Sequence, residues 1–118
     1  MYQVGTGGGP TYLTSGYSGA KGYIDASSNV SSNAVTTTKP ELHTPNNAGP
    51  WNGSAYFYSM TGAKRVMVTT HFLRYGTGFA ASFSGSSQDT AAGPYTAIKL
   101  FPETGTFSGT FSLYGIVS

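Results

Sequence analysis

From residue 51 onward the apolar positions of this chain recur at every second residue. In "SAYFYSM" (54–60), Tyr56 and Tyr58 fall on one side, and Ala55 and Phe57 on the other. "KRVMVTTHFL" (64–73) sets Val66, Val68, Thr70 and Phe72 against Met67, Thr69, His71 and Leu73. A period of two is the signature of a β-strand. The short "TGA" break between the runs predicts an antiparallel hairpin. Further strands are expected at 77–84, 95–101 and 110–116, with loops at 85–94 and 102–109.

The first half carries weaker signals. Residues 1–18, "MYQVGTGGGPTYLTSGYS", read as an extended glycine-rich arm punctuated by Tyr2, Val4, Tyr12 and Leu13. "GAKGYID" (19–25) suits a short strand. Residues 26–50 are polar, and Pro40, Pro45 and Pro50 prevent regular helix there. Within them Thr36, Thr37 and Thr38 suit either a β-segment or a long surface loop. No stretch holds helical periodicity for the ten or more residues a helix requires. The expectation is an all-β fold, an antiparallel β-sandwich or jelly roll, with an arm at 1–18 and one domain at 19–118.

Composition sharpens this picture. Charged residues make up 8% of the 118, against a norm of about 25%. Nine Tyr and seven Phe accompany 17 Gly. Few charges with many aromatics argue against disorder. A surface so poor in charge does little to repel neighbours, which predicts that much of it is covered in an assembly. The net charge of +2 is scattered, with Lys64-Arg65 the only adjacent basic pair, so nucleic acid is not an expected partner. No apolar run has membrane-spanning length, and no signal-peptide pattern follows Met1, so synthesis in a cytosol is expected. Without a secretion signal, the "NVS" and "NGS" acceptor patterns carry no weight.

Catalytic chemistry finds little support. The carboxylates are Asp25, Glu41, Asp89 and Glu103, each in or beside an expected loop, and no spacing suggests a facing pair. His43 and His71 belong to no ligand motif, and the chain lacks cysteine, so neither a metal nor another cofactor is expected. "GTGGGP" lacks the lysine and the following helix of a phosphate loop. No serine sits in a nucleophile elbow. Binding is the better prospect. Trp51, Tyr56, Tyr58 and Tyr75, beside Asn52, suit stacking on the apolar face of a sugar. The same rings suit the core or a subunit interface at least as well, because interfaces favour aromatics and lack Lys and Glu.

The closing stretch "YTAIKLFPETGTFSGTFSLYGI" (95–116) resembles the end of many bacteriophage virion proteins: an apolar strand, a "G-(N/T)-F" turn, then "SGTFSLYGI" or a near variant. "WNGSAYFYS" upstream adds support. The resemblance covers roughly a fifth of the chain and does not separate head from tail proteins. It implies a β-sandwich module of the kind carried by tail fibres, tail appendages and capsid-attached proteins. As its last strand, residues 110–116 are expected to close the fold, with Phe111 and Leu113 on one face and Tyr114 and Ile116 on the other. Each such side chain is worth about 1.5–3 kcal/mol when buried.

Fibre proteins are usually long, whereas this chain pairs one module with an arm. The resemblance then implies a non-enzymatic capsid decoration or cement protein, made in the host cytoplasm and resident in the virion. Its partners would be the phage major capsid protein or other virion proteins. It would bridge neighbouring shell subunits as a homo-oligomer, a trimer at a symmetry axis, with Tyr2, Val4 and Tyr12 of the arm making contacts. The alternative is a tail or fibre-tip module binding host surface carbohydrate through Trp51 and the nearby tyrosines.

Overall fold

A computed structural model describes residues 1–25, 30–37, 40, 50–61, 65–74, 80–89, 93–102 and 104–115. Among them there are eight strands and no helix: β1 (Tyr2–Thr6), β2 (Thr11–Tyr12), β3 (Tyr17–Asp25), β4 (Val30–Thr37), β5 (Trp51–Tyr58), β6 (Met67–Arg74), β7 (Ala80–Gln88) and β8 (Tyr95–Leu100). They form a five-stranded sheet of order β4-β3-β7-β6-β5 and a three-stranded sheet of order β2-β1-β8. Every pairing is antiparallel. An all-β chain of two antiparallel sheets is compatible with a β-sandwich.

The core lies where the small sheet covers one end of the large one. Tyr2, Val4, Tyr17, Val66, Val68 and Tyr95 are buried together, with Leu13, Phe57 and Met60 packed around them. The Tyr2 ring meets Tyr17 and Phe57 edge-on, at centroid distances of 5.8 and 5.3 Å. Both phenols have hydrogen-bond partners, as buried polar atoms must. The Tyr2 hydroxyl lies 2.7 Å from Ser86 Oγ. The Tyr17 hydroxyl accepts from the Val4 N–H at 2.9 Å and donates to the Leu13 carbonyl at 3.2 Å.

Two expectations change here. Residues 1–18 are not an arm: β1 is the central strand of the small sheet, and β3 runs across positions 18 and 19. The glycines at 7–9 instead turn β1 back onto β2, with Gly7 in the left-handed region (φ 85°) that favours glycine. Tyr2 and Val4 alternate with Gln3, and it is this period of two, not the glycine run after it, that fixes the segment's fate.

The second change is at the other end. Residues 110–115 form no strand, and Phe111, Leu113 and Tyr114 are exposed. The core position expected for a closing strand is occupied by β1, which pairs with β8 from Tyr2↔Leu100 to Thr6↔Tyr95. Beyond that register, Met1 N donates to the Phe101 carbonyl at 3.0 Å, and Phe101 N donates to the Met1 carbonyl at 3.2 Å. Ile116 lies outside the described residues.

The expected hairpin at 54–73 is present as β5 and β6, paired from Trp51↔Arg74 to Tyr58↔Met67. β4 falls within the polar stretch 26–50, so the β-segment reading holds for Thr36 and Thr37, and Thr38 lies outside the described residues. β7 continues to Gln88, into the expected loop 85–94. Its polar side chains are satisfied across the fold: Ser86 by Tyr2, Ser84 by Thr70 (2.5 Å), and Gln88 Nε2 by the Ser15 carbonyl (2.8 Å).

Candidate interaction surface

Strand register sorts the large sheet into two faces, because directly paired residues share a side. Phe57, Val68, Ser86 and Gly19 form one row of the inner face, under β1; Ala55, Thr70 and Ser84 form the next. Toward the far end Gly53 and Phe72 follow, then Trp51 and Arg74. An added Cβ at Gly53 would strike the His71 carbonyl oxygen and the Phe72 ring. This glycine lets the Phe72 ring lie flat across β5 and meet Trp51 edge-on at 5.2 Å. The C-terminal segment reaches this corner through Phe111, 6.4 Å from Trp51, with Phe107 a further 5.5 Å from Phe111.

The outer face carries the rows Tyr58–Met67–Ser87–Ser18, Tyr56–Thr69–Gly85–Ala20, Ser54–His71–Phe83–Gly22 and Asn52–Leu73–Ala81–Ile24. No Asp, Glu, Lys or Arg occurs in them. Met67, Leu73, Phe83, Ile24 and both tyrosines are each about half exposed. A shallow recess between β5, β6 and β7 is floored by the backbone near Gly53 and Ser82 and walled by His71, Leu73 and Phe83. An open face built this way resembles the centre of a protein interface, where charge is depleted and aromatics and Met are enriched.

Asp89, the one carboxylate described with its partners, has a local role. Ser18 Oγ donates to one of its oxygens and Ser87 Oγ to the other at 2.6 Å, while its backbone N–H donates to the Gly16 carbonyl at 2.6 Å. The Ser18 bond, then the Ser87 bond, with a smaller contribution from the Arg65 charge, holds its carboxyl below the usual carboxylate range. It ties the start of β3 to the end of β7. No group of three or more His, Asp or Glu side chains able to hold a metal occurs among the described residues. Glu41, His43 and Glu103 lie outside them. No helix there is long and apolar enough to cross a membrane.

The residues singled out in the sequence separate. Tyr2 and Val4 are buried in their own chain and make no contact surface. Tyr12 is half-buried, with Lys99 Nζ 5.6 Å from its ring centroid. Trp51 belongs to the inner face, whereas Tyr56 and Tyr58 belong to the outer one, so the three do not form one stacking platform. Tyr75 lies outside the described residues. Sequence reasoning missed Ile24, Met67, Leu73 and Phe83 as surface residues. The signal was available in 66–73, where both alternating sets carry large apolar side chains, the pattern of a strand covered on both faces.

Comparison of the chain with protein-family models, with curated proteins and with solved structures finds no match in any of the three.

Proposed function

We propose that this chain is a non-enzymatic structural protein of a bacteriophage virion, a capsid decoration or cement protein that bridges neighbouring shell subunits. The module would be of the sandwich or jelly-roll kind. Its virion assignment rests on the resemblance of residues 95–116 to the closing segments of phage virion proteins. The observation that carries an assembly role is the exposed, uncharged C-terminal run: Leu113 is 87% and Tyr114 83% accessible in the single chain. Isolated apolar side chains on a surface are ordinary; contiguous ones mark an interaction site. Contacts with the shell therefore come from the outer face and the C-terminal segment, not from the N-terminus.

Quantitative mass spectrometry of purified particles tests this reading. Abundance near that of the major shell protein supports decoration. Absence from the particle refutes a virion role altogether. A few copies per particle would refute decoration in favour of a tail or fibre-tip module, and host carbohydrate would then have to be gripped by Tyr56 and Tyr58 without Trp51.

A further inference from the structure

We infer that residues 104–115 are a strap that closes and opens on its own chain: Phe111 covers Trp51 in the free protein, and release of the strap uncovers it. The anchor is a run of rings. Phe72 lies 5.2 Å from Trp51, Phe111 6.4 Å from Trp51, and Phe107 5.5 Å from Phe111, each within the range at which aromatic pairs attract. Phe107 and Phe111 are 40 and 52% exposed, so about half of each is covered. Leu113 and Tyr114, beyond the anchor, stand open.

The rest of the segment adds little hold. Every residue from 104 to 115 is exposed, and among the described residues none of them makes a hydrogen bond to either sheet. A stretch tied by ring contacts, with its backbone left to water, belongs to the low end of local stability. The turn that leads into it suits a hinge. Gly105, two residues before Phe107, has φ 71°, in the left-handed region. A Cβ added there would meet nothing within 4 Å, so the backbone angle and not lack of space calls for glycine.

The balance is close enough to switch. Half-burying a phenylalanine supports a closed-to-open ratio of about four to twelve. That favours closure and is small enough to be reversed. Closure is also an autoinhibitory contact. Trp51 is 39% exposed with Phe111 in place, and a ligand stacking on the indole would compete with that ring for the same surface. Strap and corner belong to one chain, so closure does not depend on concentration.

The inference concerns the free chain and is independent of the virion reading. Its test is acrylamide quenching of Trp51, the only tryptophan, in the full chain. Motions of a segment this long are slow against the emission lifetime, so shielded and open components separate. The native protein should show both, the shielded one in excess, in a ratio that holds as the protein is diluted. Phe111→Ala should lower the shielded-to-open ratio about four- to twelvefold, with an unchanged far-ultraviolet spectrum because the segment forms no strand. Gly105→Ala touches nothing at the corner, yet should lower the ratio about five- to thirtyfold, the cost of holding alanine in the left-handed region. A single shielded component in the native chain would mean fixed packing and overturn the strap. Trp51 quenching unmoved by Phe111→Ala, or a ratio unmoved by Gly105→Ala, would overturn it too. So would shielding that disappears on dilution, because the covering segment would then come from another copy.

Discussion

Replacing Tyr2 with alanine separates a core strand from a flexible arm in a single experiment. Tyr2 is fully buried, its ring packs edge-on against Tyr17 and Phe57, and its hydroxyl bonds to Ser86. Truncating a buried aromatic to alanine costs about 3–5 kcal/mol, the lost transfer energy plus the cavity left behind. Small domains have about 5–15 kcal/mol in total, so the variant should lie close to the limit of folding. At about 4 °C per kcal/mol for a chain of this size, its melting temperature should fall by roughly 12–20 °C. Tyr2→Phe keeps the ring and loses only the hydroxyl bond, which costs about 0.5–1.5 kcal/mol. Urea unfolding followed by the fluorescence of Trp51, the only tryptophan, reads both; that ring sits at the far end of the sheet, so its emission reports global unfolding rather than the local change. An unaltered midpoint for Tyr2→Ala would refute the packing described here and restore residues 1–18 as an arm.

Three further outcomes are expected. Burial raises the Tyr2 and Tyr17 phenols above their ordinary value, so the folded chain keeps protons that the unfolded chain releases; their contribution to stability should be constant below about pH 10 and stability should fall as pH rises beyond it, with a shallower fall in Tyr2→Phe. The Asp89 carboxyl is held low by Ser18 and Ser87, so its contribution is present above the unfolded value near pH 4 and lost as pH falls toward the folded one; urea midpoints of Asp89→Asn should show a shallower acid limb. Gly53→Ala forces a Cβ against the His71 carbonyl and Phe72 and should cost about 1–3 kcal/mol, with a shift in Trp51 emission as β5 moves off β6.

How much of this was legible in the sequence depends on where each residue finds its partners. The β5–β6 hairpin could be read directly, because its alternation is local; the structure then pairs the Phe57 set with the Val68 set on the inner face. β7 could be read only as far as Ser84. Beyond it Ser86 and Gln88 look like loop residues until Tyr2 and Ser15 supply their bonds from distant parts of the chain. Such side chains leave strand propensity weak and are committed by tertiary context. At the N-terminus the conspicuous glycines hid the informative pair, Tyr2 and Val4. At the C-terminus the alternation in 110–115 was real, but periodicity says only that a segment can be a strand and never which edge, or which copy, it joins. The aromatic candidates failed as a group for a simpler reason: Trp51 and Tyr56 differ by an odd number of positions, which on any strand places them on opposite faces.

That parity argument extends to the whole large sheet. A chain that needs only one covered face can make the other polar, and low charge is then unnecessary. Here the outer rows hold Met67, Leu73, Phe83 and Ile24 where Lys or Glu would give solubility at no cost to the core, and small residues such as Gly85, Ala20 and Ala81 lie between them. Substituting Phe83→Lys changes nothing in the core cluster, since Phe83 is paired with His71 and Gly22 on the open side. If the face is solvent-facing in the functional state, that variant should fold, melt as the native chain does and keep its particle occupancy. If it meets the shell, melting should still be unchanged, but occupancy should fall about ten- to a hundredfold, the effect of burying a charge where an aromatic had been. The measurement pairs a melting curve with particle counts. Only the second outcome is consistent with outer rows that carry no charged side chain from β5 across to β3.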